Sequence, residues 1–237
     1  NSLGTDIRLW DKILPQLPAG LRIIRYDTRG HGKSSVPPAP YTMGALVADA
    51  EAVMDHLAIK DAVFVGLSIG GMIAQGLAVK RLDLIRALVL SNTAAKIGNA
   101  EIWQGRIDAI RDNGLASLTD SVMERWFGPD FLKGDEINTW KARFEETPEE
   151  GYIGCSYAIS GTDFYTATSG LRCPTLGIAG SEDSATPPDL VRETLGVIPG
   201  SEFHLIHRAG HLPCIDAADE YAERLNQFLR EVGHVGD

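Results

Sequence analysis

The chain has 237 residues, 44% of them hydrophobic, and a formal net charge of −10. This length can bury one sizeable core without a second domain, although it also leaves room for an inserted cap. Because the basic residues form no stripe and the acidic residues no tail, the charge argues against nucleic acid as a partner.

Hydropathy and cysteine content exclude further classes of protein. No apolar run approaches the roughly 20 residues of a membrane span, and no basic and then apolar leader opens the chain. We therefore expect a soluble, cytoplasmic protein with no membrane partner. The three cysteines have neither CxxC nor Cys/His ligand spacing, so we expect reduced thiols, no disulfide framework and no metal.

The first eleven residues, "NSLGTDIRLWD", indicate the end of a loop that enters a helix, with no strand before it. Residue 1 is asparagine and not methionine. We therefore expect a leading segment to be missing.

Further along the chain, β-rich apolar runs alternate with helical patterns. The runs are "LRIIRY", "AVFVG", "RALVLS", "PTLGIAG" and "EFHLI". This alternation predicts an α/β fold, with a mostly parallel sheet flanked by helices. Between residues 97 and 161 four helix-like pieces follow one another without a strand, which predicts a helical cap. Residues 1–96 and 162–237 would then form the core, and residues 97–161 the cap insertion.

The stretch "VFVGLSIGGMIAQGLA" places Ser68 between Gly66 and Gly70 in a GxSxG pattern. The pattern alone is weak evidence, because a glycine-rich chain can contain it by chance. Its context is stronger, since a buried-strand pattern ends at Gly66 and helical spacing begins at Ile69. The glycines permit a strained turn, and the helix N-terminus directs its amides toward developing negative charge. We predict that Ser68 is a nucleophile and not merely a small turn residue.

A serine nucleophile needs a base, and the base needs an orienting carboxylate. In "HRAGHLPCID", His211 follows the last predicted strand and a glycine, so we predict that it is the base. His31, in "YDTRGHGKSS", is expected to belong to a structured loop. Surface or structural roles are expected for the other four, His56, His204, His207 and His234.

The acid is expected in "PTLGIAGSEDSATPP", where a strand ends at Gly180 and a loop follows. Asp183 is the predicted residue, and the neighbouring Glu182 is the alternative. The chain order Ser68, Asp183, His211 is the order typical of strand-based hydrolases.

These motifs together resemble the α/β-hydrolase superfamily and, within it, the 3-oxoadipate enol-lactonases of bacterial aromatic degradation. The resemblance covers almost the whole chain. "NSLGTD" with the following "WD" is similar to that family's oxyanion motif, and the further blocks are "RYDTRGHGKS", "GLSIGGMIAQ", "LSNTAAKIG", "ERWFGPDF", "GYIGCSYAI" and "AGHLPCID". The resemblance assigns the catalytic roles to the same three residues, Ser68, Asp183 and His211.

The resemblance implies opening of 3-oxoadipate enol-lactone through an acyl-enzyme, without metal or organic cofactor. The backbone N–H groups of Leu3 and Ile69 would form the oxyanion hole. The substrate carries a carboxylate, for which Arg125 beside Trp126 is the candidate contact, although a Trp-Phe pair in a cap helix is also typical of simple packing. The partner is then a small lactone or ester, and a homo-oligomer is compatible with the sequence.

The chain departs from the family in one respect, because the family's first strands precede the "NSLGTD" loop and one of them lies inside the sheet. We expect the present chain to be unstable alone, and a preceding segment of roughly 20–30 residues, enough for two or three short strands, to raise yield and activity.

Three other functions remain open at this point. A carboxylesterase or carbon–carbon hydrolase would keep the same three residues, and so would a cofactor-free haloperoxidase. A non-catalytic receptor or scaffold of this fold is the alternative from another class.

Overall fold

Four parallel strands form one sheet in the computed structural model, which describes residues 1–236. The strands lie side by side in chain order, and all three pairings are parallel. The third strand is buried throughout, as expected where helices cover both faces of a parallel sheet. The strands are β1 (Ala62–Leu67), β2 (Ile85–Ser91), β3 (Thr175–Gly180) and β4 (Glu202–Ile206).

Helices make up most of the remaining regular structure. The α-helices within residues 1–236 are α1 (Met43–His56), α2 (Ile69–Lys80), α3 (Ala100–Asn113), α4 (Thr119–Trp126), α5 (Ile137–Glu145), α6 (Glu149–Ser160), α7 (Tyr165–Thr168), α8 (Pro188–Gly196), α9 (Pro213–Asp216) and α10 (Ala218–Glu231). Short 3₁₀ helices span Ile7–Trp10, Leu14–Gln16, Leu115–Leu118 and Phe131–Lys133. None of the helices described is long and apolar enough to cross a membrane.

The sequence explains how these helices begin and which side they bury. The Thr42 side chain accepts a hydrogen bond from the Ala45 amide at the start of α1, and Asn99 caps α3 in the same way. Helix α10 buries an apolar stripe that includes Tyr221, Leu225 and Phe228, at the spacing of one helical face. Helix α2 packs on β1 and β2, α8 packs on β3 and β4, and α10 packs on β4.

The strand predicted at "LRIIRY" is wrong. Residues 21–28 have no regular structure, and β1 is an edge strand with no described residue paired to its outer side. A cavity of about 550 Å³ is lined by residues 21–26 and also by residues 62–65. The two segments therefore share a cavity and not a ladder of hydrogen bonds, although the local sequence favours a strand.

The chain between β2 and β3 contains only helices and loops, and four of its helices coincide with the four pieces that the sequence pattern indicates. Helix α3 packs on α6, and α4 packs on α5. These helices lie where the cap is predicted, and the limits of the cap at residues 97 and 161 stay a prediction.

One of these helices is joined to the core by direct backbone contact. Gly30 has φ +78°, and a methyl group added to either Gly30 or Gly151 would overlap the backbone of the other. Two hydrogen bonds lie next to this contact, from the Ala39 amide to the Glu150 carboxylate (2.6 Å) and from the Tyr41 amide to the Gly154 carbonyl (3.2 Å). The first turn of α6 is therefore held firmly against the core loop around residue 30.

Candidate active site

Ser68 occupies the turn between β1 and α2. Its backbone has φ +57° and ψ −118°, a strained conformation for a residue with a side chain, and the residue is 7% exposed. The Ser68 amide donates to the Ser91 carbonyl at 3.0 Å, and the Ser68 carbonyl accepts from the Thr93 hydroxyl at 2.6 Å. These bonds fix the turn from the neighbouring strand, so the strain is held by the surrounding structure.

The turn also depends on the absence of a side chain at Gly66. A methyl group there would overlap the carbonyl oxygen of Gly70, because the end of β1 approaches the first turn of α2 through backbone alone. The glycines of the GxSxG pattern therefore permit this close approach.

Asp183 and His211 form a buried pair at the ends of β3 and β4. Each is 3% exposed, and Nδ1 of His211 lies 2.9 Å from Oδ2 of Asp183. Burial on its own would raise the pKa of Asp183, but the charge and hydrogen bond of His211, the Asn92 amide and the Thr186 backbone N–H outweigh it and lower that pKa. Asp183 is thus an ionised carboxylate that orients the imidazole.

The other candidates for the acid and the base point elsewhere. Glu182 is exposed, and its carboxylate accepts a hydrogen bond from the Ser181 hydroxyl. His204 pairs with Glu220 near the surface. Glu182 therefore does not take part in the arrangement that joins Asp183 to His211.

The loop that carries His211 is tied to the end of α4. Oδ2 of Asp216 accepts from the Gly210 and Gly128 amides, both at 2.9 Å, and the Leu212 amide donates to the Trp126 carbonyl at 3.0 Å. Burial raises the pKa of Asp216 to about 6 in spite of these hydrogen bonds. The position of the histidine is thus coupled to the helical region above the sheet.

Ser68 and His211 line the same cavity of about 240 Å³, together with Leu3 of the first loop. No hydrogen bond joins Ser68 to His211 in the described part of the chain, and such catalytic hydrogen bonds are often long in the absence of substrate. The arrangement brings a serine hydroxyl, an imidazole and an orienting carboxylate to one place. These are the functional groups that acyl transfer requires.

The N–H groups predicted to form an oxyanion hole are free of protein partners. Within residues 1–236, neither the Leu3 amide nor the Ile69 amide donates a hydrogen bond to a protein acceptor, whereas the flanking Ser68 and Gly70 amides do. Ile69 begins α2, where the N–H groups also benefit from the helix dipole. Both amides therefore keep a hydrogen for a further acceptor, and Leu3 also lines the cavity.

Trp126 and Arg125, predicted from the sequence as substrate contacts, both line the cavity. Trp126 is buried and also makes edge contacts with the rings of Phe127 and Phe144, at 6.2 and 5.6 Å between centroids. Its role thus combines packing with a place in the cavity wall. Arg125 is half-buried, and burial together with the nearby charge of Arg106 lowers its pKa.

Sequence reasoning missed Arg106, which lies on α3 one turn after Trp103. Its guanidinium donates to the Tyr152 hydroxyl at 3.1 Å and lies over the Trp103 ring, 5.3 Å from the centroid. None of the residues that line the cavity is an aspartate or a glutamate, and neither Arg106 nor Arg125 forms a salt bridge within residues 1–236. The cavity of this acidic protein is therefore positively charged. The only signal in the sequence was the "WQGR" spacing on a helix, which any amphipathic helix shares.

The chain is similar to known proteins in both sequence and fold. Residues 2–224 match the model of a family described as the alpha/beta hydrolase family. The 3-oxoadipate enol-lactonase 2 of Acinetobacter baylyi is 36% identical over 213 residues, which cover 86% of this chain and 80% of the relative. The solved structure of the enol-lactonase from Burkholderia xenovorans LB400 is 37% identical, with a TM-score of 0.93 over 97% of this chain and 89% of that chain. A thermophilic esterase from Thermogutta terrifontis is 27% identical, with a TM-score of 0.90 over 96% of this chain and 86% of its own.

Proposed function

Because the chain belongs to the alpha/beta hydrolase family, we propose that it is a serine hydrolase that opens 3-oxoadipate enol-lactone to 3-oxoadipate in the degradation of aromatic compounds. The names of the relatives support this substrate, since two 3-oxoadipate enol-lactonases are 36% and 32% identical to the chain.

The pair of arginines in the cavity is the observation that carries the proposal. Burial, and after it the nearby charge of Arg106, lowers the pKa of Arg125, and no carboxylate of the protein lines the cavity to neutralise the two cations. A substrate carboxylate would supply the missing charge and accept charge-assisted hydrogen bonds. A neutral ester would leave both guanidinium groups without an anionic partner.

The proposed reaction uses Ser68, Asp183 and His211. The Ser68 hydroxyl attacks the lactone carbonyl while Nε2 of His211 takes its proton, and the Asp183 carboxylate stabilises the resulting imidazolium. The Leu3 and Ile69 amides hold the oxyanion of the tetrahedral intermediate.

Collapse of that intermediate breaks the ring C–O bond and releases an enolate, which takes the proton from His211 and tautomerises to the ketone. The other end of the product stays bound to Ser68 as an ester. Water, deprotonated by His211, then attacks the ester carbonyl, and Ser68 leaves with the proton as 3-oxoadipate is released.

The test compares hydrolysis of 3-oxoadipate enol-lactone with that of p-nitrophenyl acetate, which has no carboxylate. Arg106→Gln and Arg125→Gln each remove one cation, and Arg111→Gln is the matched control because Arg111 lies exposed on the same helix as Arg106. A hydrogen bond to a charged group contributes about 1.5–3 kcal/mol, so KM for the lactone should rise roughly 10- to 150-fold in the first two variants.

The control variant should keep the wild-type KM for the lactone, and all three should keep the wild-type KM for the neutral ester. Efficient hydrolysis of p-nitrophenyl acetate without hydrolysis of the lactone would identify a carboxylesterase instead. Absence of both activities in a folded protein would favour a non-catalytic role.

A further inference from the structure

His31 is buried beside the loop that contains the Leu3 amide. It is neither the acid nor the base of the site. It is 2% exposed, and its Nε2 accepts a hydrogen bond from the Gly4 amide at 3.0 Å. Gly4 follows Leu3 directly. The imidazole therefore contacts the backbone next to the group predicted to bind the oxyanion.

The hydrogen bonds of His31 define its tautomer. Because Nε2 accepts from an N–H group, it carries no hydrogen, and the hydrogen of the neutral ring is on Nδ1. Nδ1 lies 3.3 Å from the Arg29 carbonyl, which can accept that hydrogen. Burial lowers the pKa of His31 to about 4, so the ring stays neutral at the pH where most hydrolases work.

Two successive peptide planes of the loop, Ser2–Leu3 and Leu3–Gly4, are each held by a hydrogen bond. The Ser2 carbonyl accepts from the Thr5 amide (3.1 Å) and the Thr5 hydroxyl (2.8 Å), and the Leu3 N–H belongs to the same planar peptide, trans to that carbonyl. The next plane contains the Gly4 N–H, which His31 holds. Because Thr5 holds the Ser2 carbonyl, the Leu3 N–H of the same peptide points to the side opposite Thr5. The hydrogen bond to His31 prevents rotation of the Leu3–Gly4 peptide.

No other side chain in the described residues accepts from the Gly4 amide. In the same peptide the Leu3 carbonyl accepts no hydrogen bond within residues 1–236, and Gly4 has φ +79°. Without His31 the Leu3–Gly4 peptide would therefore lose its main anchor, and the Leu3 N–H would lose its fixed direction.

We propose that His31 is a positioning residue for the oxyanion hole, which acts through Gly4 on the direction of the Leu3 N–H. The proposal rests on the proposed function in so far as Leu3 serves a Ser68-dependent hydrolysis. His31 touches neither the substrate nor the reacting atoms. Its contribution is therefore made in the transition state, when negative charge develops on the substrate oxygen.

The test uses two amide variants that differ in reach. In His31→Gln the amide oxygen can occupy roughly the place of Nε2 and accept from the Gly4 N–H, whereas in His31→Asn the shorter side chain cannot. Removal of one oxyanion-hole donor costs about 10²–10³ in kcat, and a misdirected donor should cost about 10- to 100-fold. We expect this loss of kcat for p-nitrophenyl acetate in His31→Asn, with KM changed less than twofold, and recovery to within about fivefold of wild type in His31→Gln.

A boronic acid that forms a tetrahedral adduct on Ser68 provides a second readout. The inhibition constant of ethylboronic acid should rise in His31→Asn in proportion to the loss of kcat and should stay near the wild-type value in His31→Gln. Equal kcat in the two folded variants would overturn the proposal, and so would a loss of kcat in each variant that is proportional to the loss of its melting temperature.

Nitrogen-15 NMR of the wild-type protein decides the matter if a variant does not fold. Nε2 of His31 should show the chemical shift of an unprotonated ring nitrogen and a coupling across the hydrogen bond to the Gly4 N–H. A proton on Nε2 at pH 7 would refute the proposal. This measurement needs no substrate, so its outcome does not depend on whether the protein is a lactonase.

Discussion

The substitution Asp183→Asn tests the acid of the site, because the structure shows every donor that its carboxylate receives. Oδ1 accepts from the Ala185 and Thr186 backbone amides at 2.8 and 3.0 Å. Oδ2 accepts from His211, from the Asn92 amide and from the Thr186 hydroxyl at 2.9, 2.8 and 2.8 Å. The new NH₂ group must therefore replace an oxygen that faces only donors.

The NH₂ group could take the place of either carboxylate oxygen, and the two choices differ in free energy. In place of Oδ1 it would face two backbone N–H groups, which can only donate, so it should take the place of Oδ2. There His211 can adapt by moving its hydrogen from Nδ1 to Nε2, and the Thr186 hydroxyl can rotate. The NH₂ group of Asn92 keeps the Gly210 carbonyl at 3.3 Å, but its other N–H group loses its acceptor. An unsatisfied buried group costs about 1–3 kcal/mol, which lowers the melting temperature by roughly 2–12 °C in a chain of this size.

The effect on catalysis should be much larger than the effect on stability. With a hydrogen on Nε2, His211 cannot accept the proton of Ser68, and the wrong tautomer in such a triad lowers kcat by about 10⁴-fold. Steady-state kinetics with the lactone or p-nitrophenyl acetate and a circular dichroism melt measure the two quantities. Glu182→Gln is the matched control, since that carboxylate is exposed and, within residues 1–236, accepts a hydrogen bond only from the Ser181 hydroxyl. The kcat of this variant should stay within about twofold of wild type.

Retention of more than about one per cent of the wild-type kcat in a folded Asp183→Asn protein would refute this reasoning. A larger loss in Glu182→Gln than in Asp183→Asn would move the acid by one residue.

Three further predictions follow from the same site. Ser68→Ala should lower kcat by more than about 10³-fold with little change in substrate binding, and a residual rate above one per cent would assign the nucleophile elsewhere. Gly66→Ala should destabilise the protein by about 1–3 kcal/mol in a denaturant titration, since its methyl overlaps the Gly70 carbonyl, and an unchanged midpoint would contradict the close approach. Burial raises the pKa of Asp216 to about 6, so the contribution of this group to the stability of the wild type falls as pH rises from 4 to 7. The unfolding free energy of Asp216→Asn relative to wild type should therefore increase by about 2 kcal/mol over this range, and a pH-independent difference would exclude a raised pKa there.

The parallel sheet and its α/β-hydrolase class were predictable, and the comparisons confirm them. The four runs that became β1 to β4 are short, apolar and bounded by turn residues, as buried parallel strands require. "LRIIRY" has the same local character but lies across a cavity from β1. A sequence pattern reports the preference of a segment for extended structure, whereas a ladder also needs a neighbour at hydrogen-bonding distance.

The candidate site was predictable where topology dictates it. Ser68, Asp183 and His211 each follow a strand, and the carboxyl ends of parallel strands meet at one edge of a sheet, so their order along the chain indicates that they converge. Arg106 lies on a helix outside the sheet. Its direction depends on how α3 packs on α6, and no local pattern specifies that packing.

The contact between Gly30 and Gly151 restricts how the substrate range of this protein can be changed by engineering. Because the two backbones touch there, a shift of α6 in either direction would break its contact with the core. Tyr152, which lines the cavity, belongs to this helix. A mutagenesis library aimed at larger or neutral substrates should therefore leave residues 149–154 unchanged. Diversity is better placed on α3 and α4, at Trp103 and Val122, where side chains line the cavity without a backbone contact of this kind.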